Sequence, residues 1–348
     1  MTAASAEPVP EPPPRNRAGT AVGRVIGGLL AVAAIGVASY GSISSAAMGS
    51  DIHSSMTIIA PASAGGGWDG VAREMQQAMK ANGLVNNVQV VNMPGAGGTI
   101  ALGNLSMLDG EANNMMVGGT GLMAATVQFD SDRTLEDITP LATVVEEYDV
   151  IVVPADSPYE TLDDLVQAWQ DDPGAVPWSG GGSFDQLVVT SLALSSDIDA
   201  ADINYIPSDG GGEAIQALLN GTVQAAAGGF PDNIDQVESG RLRALAYVAE
   251  EPVPDISGAL GGVQTAIEQG YDGVDLTNWR IMTAPSGITD DEREALTELV
   301  LETIATPEWA DAIERYRWTE KVLHGEELDE FLAGELERIE MLYEEMGI

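Results

Sequence analysis

One local pattern constrains this chain more than any other: a short apolar run, a glycine-rich turn, then a helical stretch. Near the start of the folding region it occurs twice in quick succession. Met56–Ala60 leads into Ala64-Gly65-Gly66-Gly67-Trp68-Asp69-Gly70-Val71-Ala72-Arg73, and Val88–Val91 leads into Asn92-Met93-Pro94-Gly95-Ala96-Gly97-Gly98-Thr99. A strand that turns on glycines into a helix points unpaired backbone N–H groups, and the positive end of the helix dipole, at one place. Two such units side by side make a pocket for an anion, which favours binding a small acid over catalysing a reaction.

The pattern continues down the chain. Met115–Val117 passes through Gly118-Gly119-Thr120-Gly121 to Leu122–Val127, and Val150–Val153 ends at Pro154 before Thr161–Gln170. Val176–Trp178 passes through Ser179-Gly180-Gly181-Gly182-Ser183 to Phe184–Leu194. Ile203–Ile206 leads through Gly210-Gly211-Gly212 to Glu213–Leu219, and Val223–Ala227 through Gly228-Gly229-Phe230 to Pro231–Glu238. Such alternation specifies an α/β architecture with mainly parallel sheets, in which ligands bind beyond the carboxyl ends of the strands. The turns fall into two groups, before and after about residue 150, so two lobes facing a cleft are expected: residues 51–148 with 271–348, and residues 149–270.

Helix signals agree with this order. Trp68, Val71, Met75 and Met79 share one face. Thr161 with Asp164, and Thr289 with Glu292, have capping-box spacing, and Thr306 precedes Pro307 at a first helical position. In the last third, Leu242–Ala249 and Arg280–Thr283 read as strands. Glu326–Met346 reads as a long acidic amphipathic helix that returns to cover the first lobe.

Composition narrows the function. The 348 residues suffice for two domains of ordinary size. Net charge is −40, from 54 acidic and 14 basic residues, and the only lysines are Lys80 and Lys321. Nucleic-acid binding through phosphates, which needs clustered Lys and Arg, is excluded. The acidity reads as a solvated surface; it opposes long-range steering of an anion, an effect that salt screens beyond roughly 8 Å. With no cysteine, disulfides, thiolate chemistry and a lipid-modified Cys are all excluded. His53 and His324 lie outside the glycine turns, so neither a metal site nor histidine acid–base chemistry is supported, and no cofactor is expected.

The first fifty residues read as targeting. Arg15, Arg17 and Arg24 precede Val25–Ser50, which carries no charge. Its most apolar stretch, Val25–Ala38, suits a signal-peptide core better than a full span of ~20 apolar residues. Ser44-Ser45-Ala46-Ala47 offers small residues for cleavage. A cleaved signal peptide and an uncleaved N-terminal anchor both leave the arginines inside and export the rest.

Several side chains admit more than one role. Gly65–Gly70 matches the dinucleotide fingerprint G-x-G-x-x-G, but Asn92 stands where that motif expects an acid, and no G-K-[S/T] follows any glycine loop. Asp69 can accept from a ligand hydroxyl, hold a water, or cap its helix. Ser183-x-x-Gln186 has capping-box spacing, which would consume the Ser183 hydroxyl. Trp279 and Trp318 read as core.

The stretch Met56–Gly98, with its Gly-Gly-Gly-x-Asp and Pro-Gly-Ala-Gly-Gly signatures, resembles the solute receptors of tripartite tricarboxylate transporters, the TctC or Bug family. The likeness continues through Ser179–Asp185, Asn204–Gln224 and Asn278-Trp279-Arg280 with Ala284-Pro285-Ser286-Gly287, and covers nearly all of residues 56–348. It implies a two-lobed fold like the type II periplasmic binding proteins, closing on a carboxylate ligand and delivering it to membrane permease subunits. The resemblance implies that Ala64, Gly65, Gly66, Gly67, Trp68 and Asp69 hold the ligand from one lobe, with Gly119 and Thr120. From the other lobe it implies Ser179, Gly180, Gly181, Ser183, Asp185, Gly211, Gly229 and Phe230. Ala64 replaces the usual proline, and Trp68 stands where smaller residues are common, which narrows the pocket. The expectation is an exported monomer binding a citrate-like di- or tricarboxylate. The rivals are a ligand-presenting partner of a membrane kinase and a dinucleotide-binding enzyme.

Overall fold

The computed structural model describes residues 52–208, 210–252 and 261–347; the expected signal or anchor segment over residues 1–50 lies outside them. From its start the described chain runs β1 (Ser55–Ala60), α1 (Gly67–Ala81), β2 (Asn87–Asn92), α2 (Thr99–Leu105), β3 (Asn114–Gly119), α3 (Thr120–Gln128) and β4 (Thr139–Glu147). It then crosses at Tyr148 into β5 (Asp149–Pro154), α4 (Leu162–Asp171), β6 (Trp178–Gly180), α5 (Ser183–Ser195), β7 (Tyr205–Pro207), α6 (Gly211–Leu219), β8 (Ala225–Gly229), α7 (Phe230–Glu238) and β9 (Leu242–Val248). It returns through β10 (Asn278–Ala284), α8 (Asp290–Ile304), α9 (Pro307–Tyr316), β11 (Thr319–Glu320) and α10 (Glu326–Glu345).

Two sheets result, one in each lobe: a six-stranded sheet in the order β11-β4-β10-β3-β1-β2 and a five-stranded sheet in the order β7-β6-β8-β5-β9. They are mixed, not mainly parallel. β1 runs parallel to β2 and β3, and β6 parallel to β7 and β8. β10 is antiparallel to β3 and β4, β11 to β4, and β5 to β8 and β9. The crossings cause this. Strands that feed a glycine turn end at the cleft, whereas β5 and β10 are the first strands after a crossing and begin there. Register shows it directly: Arg280 at the start of β10 pairs with Gly119 at the end of β3, and Asp149 at the start of β5 pairs with Gly229 at the end of β8.

Local signals set most elements. The capping boxes of Thr161 with Asp164 and Thr289 with Glu292 both form, and Thr306 accepts from the Trp309 N–H with Pro307 at the first helical position. The face of α1 carrying Val71, Met75 and Met79 is buried against Ile58, Val88, Trp309 and Trp318. Each such buried side chain contributes about 1.5–3 kcal/mol relative to exposure. β4 has no counterpart among the expected strands, because Pro140 and the closing Glu146-Glu147 mask a run of Leu141–Val145. Pro140 is tolerated in mid-sheet because the two-residue β11 pairs only at Val145 and Glu146 and does not reach it.

The tail helix does more than cover the first lobe. Leu328, Ile339, Leu342 and Tyr343 of α10 join Trp279, Phe184 and Leu187 in one core. Thr190 of α5 donates to Met346 Sδ at 3.4 Å, and the Trp279 indole N–H donates to Glu335 at 2.7 Å. The helix therefore straddles α3 of one lobe and α5 of the other. α3 is apolar nearly all round, as a helix covered on both sides must be.

At Gly119 a Cβ would collide with the Trp279 backbone carbonyl, whereas at Gly103, inside α2, nothing lies within 4 Å of one. Gly119→Ala is expected to cost about 1–3 kcal/mol through overpacking. Gly103→Ala is expected to stabilise by up to about 1 kcal/mol through helix propensity. Urea unfolding of both variants checks this, and equal effects would contradict it.

Candidate ligand-binding cleft

The first glycine turn is held rigid by one carboxylate. Asp69 Oδ2 accepts from the Gly65 N–H and from Arg73 Nε, each at 2.8 Å, and Oδ1 accepts from Asn92 Nδ2 at 2.7 Å. Asn92 Nδ2 also donates to the Ala62 carbonyl at 3.0 Å. Asp69 therefore does not cap its helix; the cap is Gly66, whose position offers no side chain. Both Asp69 oxygens are committed to shaping the turn. Burial pushes this carboxyl up, but the bonds from Arg73, Gly65 and Asn92 outweigh it and hold it below its ordinary value. The exposed Ala64–Gly67 backbone and the uncapped start of α1 remain open at the mouth.

The space between the first two turns is not an open anion pocket, because Trp68 fills it. A Cβ at Gly98 would stand 3.3 Å from the indole and one at Gly121 3.5 Å from it. The Arg280 guanidinium lies 5.9 Å over the same ring. Gly119 packs beneath the Trp279 carbonyl, and the buried Thr120 hydroxyl donates to the Thr277 carbonyl at 2.9 Å and accepts from the Trp279 N–H at 3.1 Å. These two residues tie β3 to β10.

In the second lobe, side chains of the chain itself occupy the turns. The Ser179 hydroxyl donates to the Ile206 carbonyl at 2.7 Å and lies 2.9 Å from the Ser208 hydroxyl. The Gly181 N–H donates to Asp185 Oδ2. The Asp232 carboxylate lies against Gly211 where a Cβ would be, and Gly180 sits under Tyr205 Oη. The Ser183 capping box does not form. Gly182 is the cap of α5, and Ser183, one position too late to cap, donates across to Gln128 Oε1 at 2.6 Å. Gln128 Nε2 in turn donates to Gln186 Oε1 at 3.1 Å, so α3 and α5 are bridged. The Phe230 ring packs in the core 5.9 Å from Tyr247, and its N–H donates to the Tyr148 carbonyl at 2.9 Å. Gly229 faces the cleft, within 3.9 Å of Glu147 Oε2 from a Cβ built there.

Where the two lobes meet, a charge cluster stands that the expected site residues only partly include. Arg280 Nη2 donates to Glu147 Oε2 at 3.1 Å, with both side chains almost fully buried. A Cβ at Gly67 would stand 2.9 Å from Arg280 Nη2 and 3.8 Å from Glu147 Oε1, so this pair lies directly beneath the first turn. Asp149 is fully buried and neither of its oxygens has a partner; Arg280 Nε and the Trp68 indole N–H are buried without an acceptor. Burial, then Asp185, Glu147 and Asp232, push the Asp149 carboxyl well above its ordinary value, against a smaller pull from Arg280. Burial raises Asp185 to about 7 despite its bond from Gly181. Asp232 is also raised, by burial first and by Glu147, but it stays exposed at the rim, so solvent reduces its cost of ionisation.

A cavity of about 370 Å³ opens elsewhere, behind the crossing, lined among others by Glu146, Tyr148, Thr277, Lys321, Glu335 and Arg338. It holds two ion pairs, Lys321 Nζ to Glu146 Oε2 at 2.8 Å and Arg338 with Asp275. The glycine turns converge on the charge cluster and not on this cavity. Among the described residues no group of three or more His, Cys, Asp and Glu could hold a metal ion.

Two α/β lobes, crossed twice by the chain and facing each other across glycine-capped helices, define the type II periplasmic-binding-protein fold. The chain belongs to the tripartite tricarboxylate transporter family receptors, TctC, whose family model matches residues 71–348. This is a family of solute-binding receptors and not of enzymes. The chain is 27% identical over 331 residues to Protein BugT of Bordetella pertussis, covering 92% of this chain and 97% of BugT. It is similar in structure to MatC of Rhodopseudomonas palustris, solved with bound malate, at a TM-score of 0.70 and 21% identity over 83% of this chain and 98% of MatC. It is also similar to an R. palustris protein solved with adipate, at a TM-score of 0.73 and 18% identity over 84% of this chain and 97% of that one.

The raised carboxyls make the cleft pH-sensitive. A carboxyl raised in the folded state binds its proton more tightly there than in the unfolded chain. Its contribution to stability therefore falls as pH rises from the unfolded value of about 4 through the folded value of about 7 for Asp185. Asp185→Asn keeps an acceptor for Gly181 and removes the charge. It is expected to raise Tm by a few degrees at pH 8 and by less at pH 5. Thermal unfolding at the two pH values checks it; an equal shift at both would show that Asp185 does not titrate in this window.

Proposed function

We propose that this receptor is exported, captures a small carboxylate between its lobes and hands it to the permease subunits of a tripartite transporter. One observation carries the reading: the uncapped amide end of α1, held open by Asp69, stands over a buried guanidinium that lacks an acceptor at Nε. A partly buried helix terminus contributes up to about 2 kcal/mol to a bound anion. Each charge-assisted hydrogen bond adds about 1.5–3 kcal/mol. Micromolar affinity needs about 8 kcal/mol, which an amide pair with Arg280 can supply. In this reading the open start of α1 at Gly67 and Arg280 receive the carboxylate, the Gly65 and Gly66 N–H groups, bonded to Asp69 and to the Ser63 carbonyl, shape the turn with Trp68, and the turns of the second lobe receive the rest of the ligand. Malate and adipate, bound by the two R. palustris neighbours, define the size class to test first, with citrate beside them.

A thermal-shift screen of the exported region against organic acids, amino acids and sugars tests the reading. Ligand at 100 times its Kd stabilises by about 2.7 kcal/mol, a shift of several degrees. The radius of gyration in solution scattering is expected to fall on saturation, since both lobes must reach the ligand. Shifts with sugars alone, or an unchanged radius, would count against capture by closure.

The backbone mechanism has its own test. Gly66→Pro removes the N–H that bonds to the Ser63 carbonyl and restricts Gly65, whose φ is 90°, before it, and it is expected to weaken binding more than tenfold. Arg73→Ala removes support for Asp69 from a half-exposed side chain and is expected to cost less. Titration calorimetry compares them. Loss of binding in Arg73→Ala with full binding in a folded Gly66→Pro variant would show that amides do not carry the affinity.

A further inference from the structure

We propose that the uncharged face formed by the second glycine turn, α2 and the end of α3 is the surface on which the permease docks. The partner that fits it has an apolar centre ringed by lysine or arginine. The assignment rests on the delivery reading above and adds the surface through which delivery takes place.

The sequence leaves this face without charge. Asn92–Leu108 and Ala112–Phe129 contain no Asp, Glu, Lys or Arg, in a chain with 54 acidic residues. Three of the four most exposed large apolar side chains among the described residues lie here: Ile100 at 50%, Met107 at 73% and Phe129 at 52%. Two of them flank one turn. A Cβ at Gly95 would stand 2.6 Å from Ile100 Cδ1, and one at Gly97 3.5 Å from Phe129 Cε2. Met107 follows Ile100 by seven residues, with Gly103 between them on the same side of α2. Nothing lies within 4 Å of a Cβ built at Gly103, so no other part of the chain covers that side. The turn itself has a fixed shape. It holds the exposed Ala96 at φ 46°, a conformation a non-glycine residue keeps only where its surroundings impose it.

Clustered exposed apolar side chains on a soluble protein mark a contact surface. The rim selects the occupant. Asp109 and Glu111 follow Met107, Asp130 and Asp132 follow Phe129, and all four are exposed. The base beside them, Arg133, is already paired with Asp137 at 2.9 Å. An apolar centre with an acidic rim complements a protein surface with an apolar centre and a basic rim. A second copy would set the same acids against these, each chain carrying a net charge of −40. An anionic lipid surface is repelled in the same way. The permease is the protein that delivery requires, and the face adjoins the cleft it must receive from. A Cβ at Gly98 would stand 3.3 Å from the Trp68 indole. Phe129 follows Gln128, which accepts from Ser183 and donates to Gln186 of the other lobe. A permease seated here touches both the turn behind Trp68 and the segment that bridges the lobes.

The test measures binding of the exported region to the permease subunits of its own transporter in lipid nanodiscs, by surface plasmon resonance with malate, adipate or citrate present. Ile100→Glu and Phe129→Glu each place a charge at the centre of the face, at positions exposed enough to keep the fold by circular dichroism. Each is expected to weaken permease binding at least tenfold and to leave the thermal shift given by the carboxylate unchanged. Leu219→Glu, at a comparably exposed position in the other lobe, is expected to change neither. Wild-type binding is expected to weaken at high salt, as the charged rim is screened. Permease binding that survives in both variants would overturn the docking face while delivery stands. Absence of permease binding by the wild-type receptor would overturn delivery and the docking face together, and leave capture to be judged by the thermal shift. Equal binding to empty nanodiscs would make lipid the occupant, and a wild-type dimer in sedimentation that both variants break would make it a second copy; either overturns the proposal. A photo-crosslinking p-benzoylphenylalanine in place of Phe129 keeps an aromatic ring at the centre. It is expected to crosslink to a permease subunit, and binding without such a crosslink would also overturn the assignment.

Discussion

The contact between Arg280 and Glu147 is the point on which both lobes converge. Glu147 closes β4 just before the chain leaves the first lobe, and Arg280 opens β10 just after it returns. The two strands are neighbours in register, Asn278 opposite Glu147 and Arg280 opposite Val145. The ion pair therefore clamps the outgoing and returning segments together. It is a poor stabiliser for its burial. Two nearly buried ions meet through a 3.1 Å bond, and Arg280 Nε is left without an acceptor. A buried pair of this quality barely recovers its desolvation, although removing one partner would cost about 3–5 kcal/mol by stranding the other. Its location explains it better. The guanidinium lies beneath the first glycine turn and over the Trp68 ring, the place where the proposed ligand carboxylate would meet it.

The sequence made the backbone of the site legible and hid its charges. Glycine is a statement about the main chain, so the turns at Gly65–Gly67, Gly118–Gly121, Gly180–Gly182 and Gly210–Gly212 announce where strands end and helices begin. The capping boxes at Thr161 and Thr289 are equally local, and both form. Ser183 misled because its spacing to Gln186 is right while its phase is wrong: Gly182 takes the cap, and the hydroxyl turns to Gln128 of the other lobe. Strand direction was not local either. β5 and β10 look like the other apolar runs, and only the crossings decide that they begin at the cleft. Glu147, Asp149, Asp232 and Arg280 are the extreme case. They come together across 133 residues between Glu147 and Arg280. In a chain with 54 acidic residues, no periodicity separates three buried or crowded carboxylates from a solvated face.

The same long-range packing bears on the proposed closure. α10 shares one apolar core with both lobes, and the Ser183–Gln128–Gln186 bridge joins α3 to α5 on the same side. A lobe rotation would have to slide α5 against α3 and α10. The bridge alone would yield cheaply, because each such hydrogen bond can be exchanged for water at a net cost of about 0.5–1.5 kcal/mol. The apolar contacts of α10 with both lobes would resist the motion more.

The net charge of −40 appears at first to forbid any anion from entering. Solvent decides otherwise on the outside, since exposed charges are screened within about 8 Å at physiological salt. Inside the cleft no such screening acts, and the local sum governs. There burial, then Asp185, Glu147 and Asp232, raise the Asp149 carboxyl, and burial raises Asp185 to about 7, in both cases against a pull from Arg280. Each of these shifts disfavours the ionised form, so the cleft opposes an entering anion less than its count of acids implies.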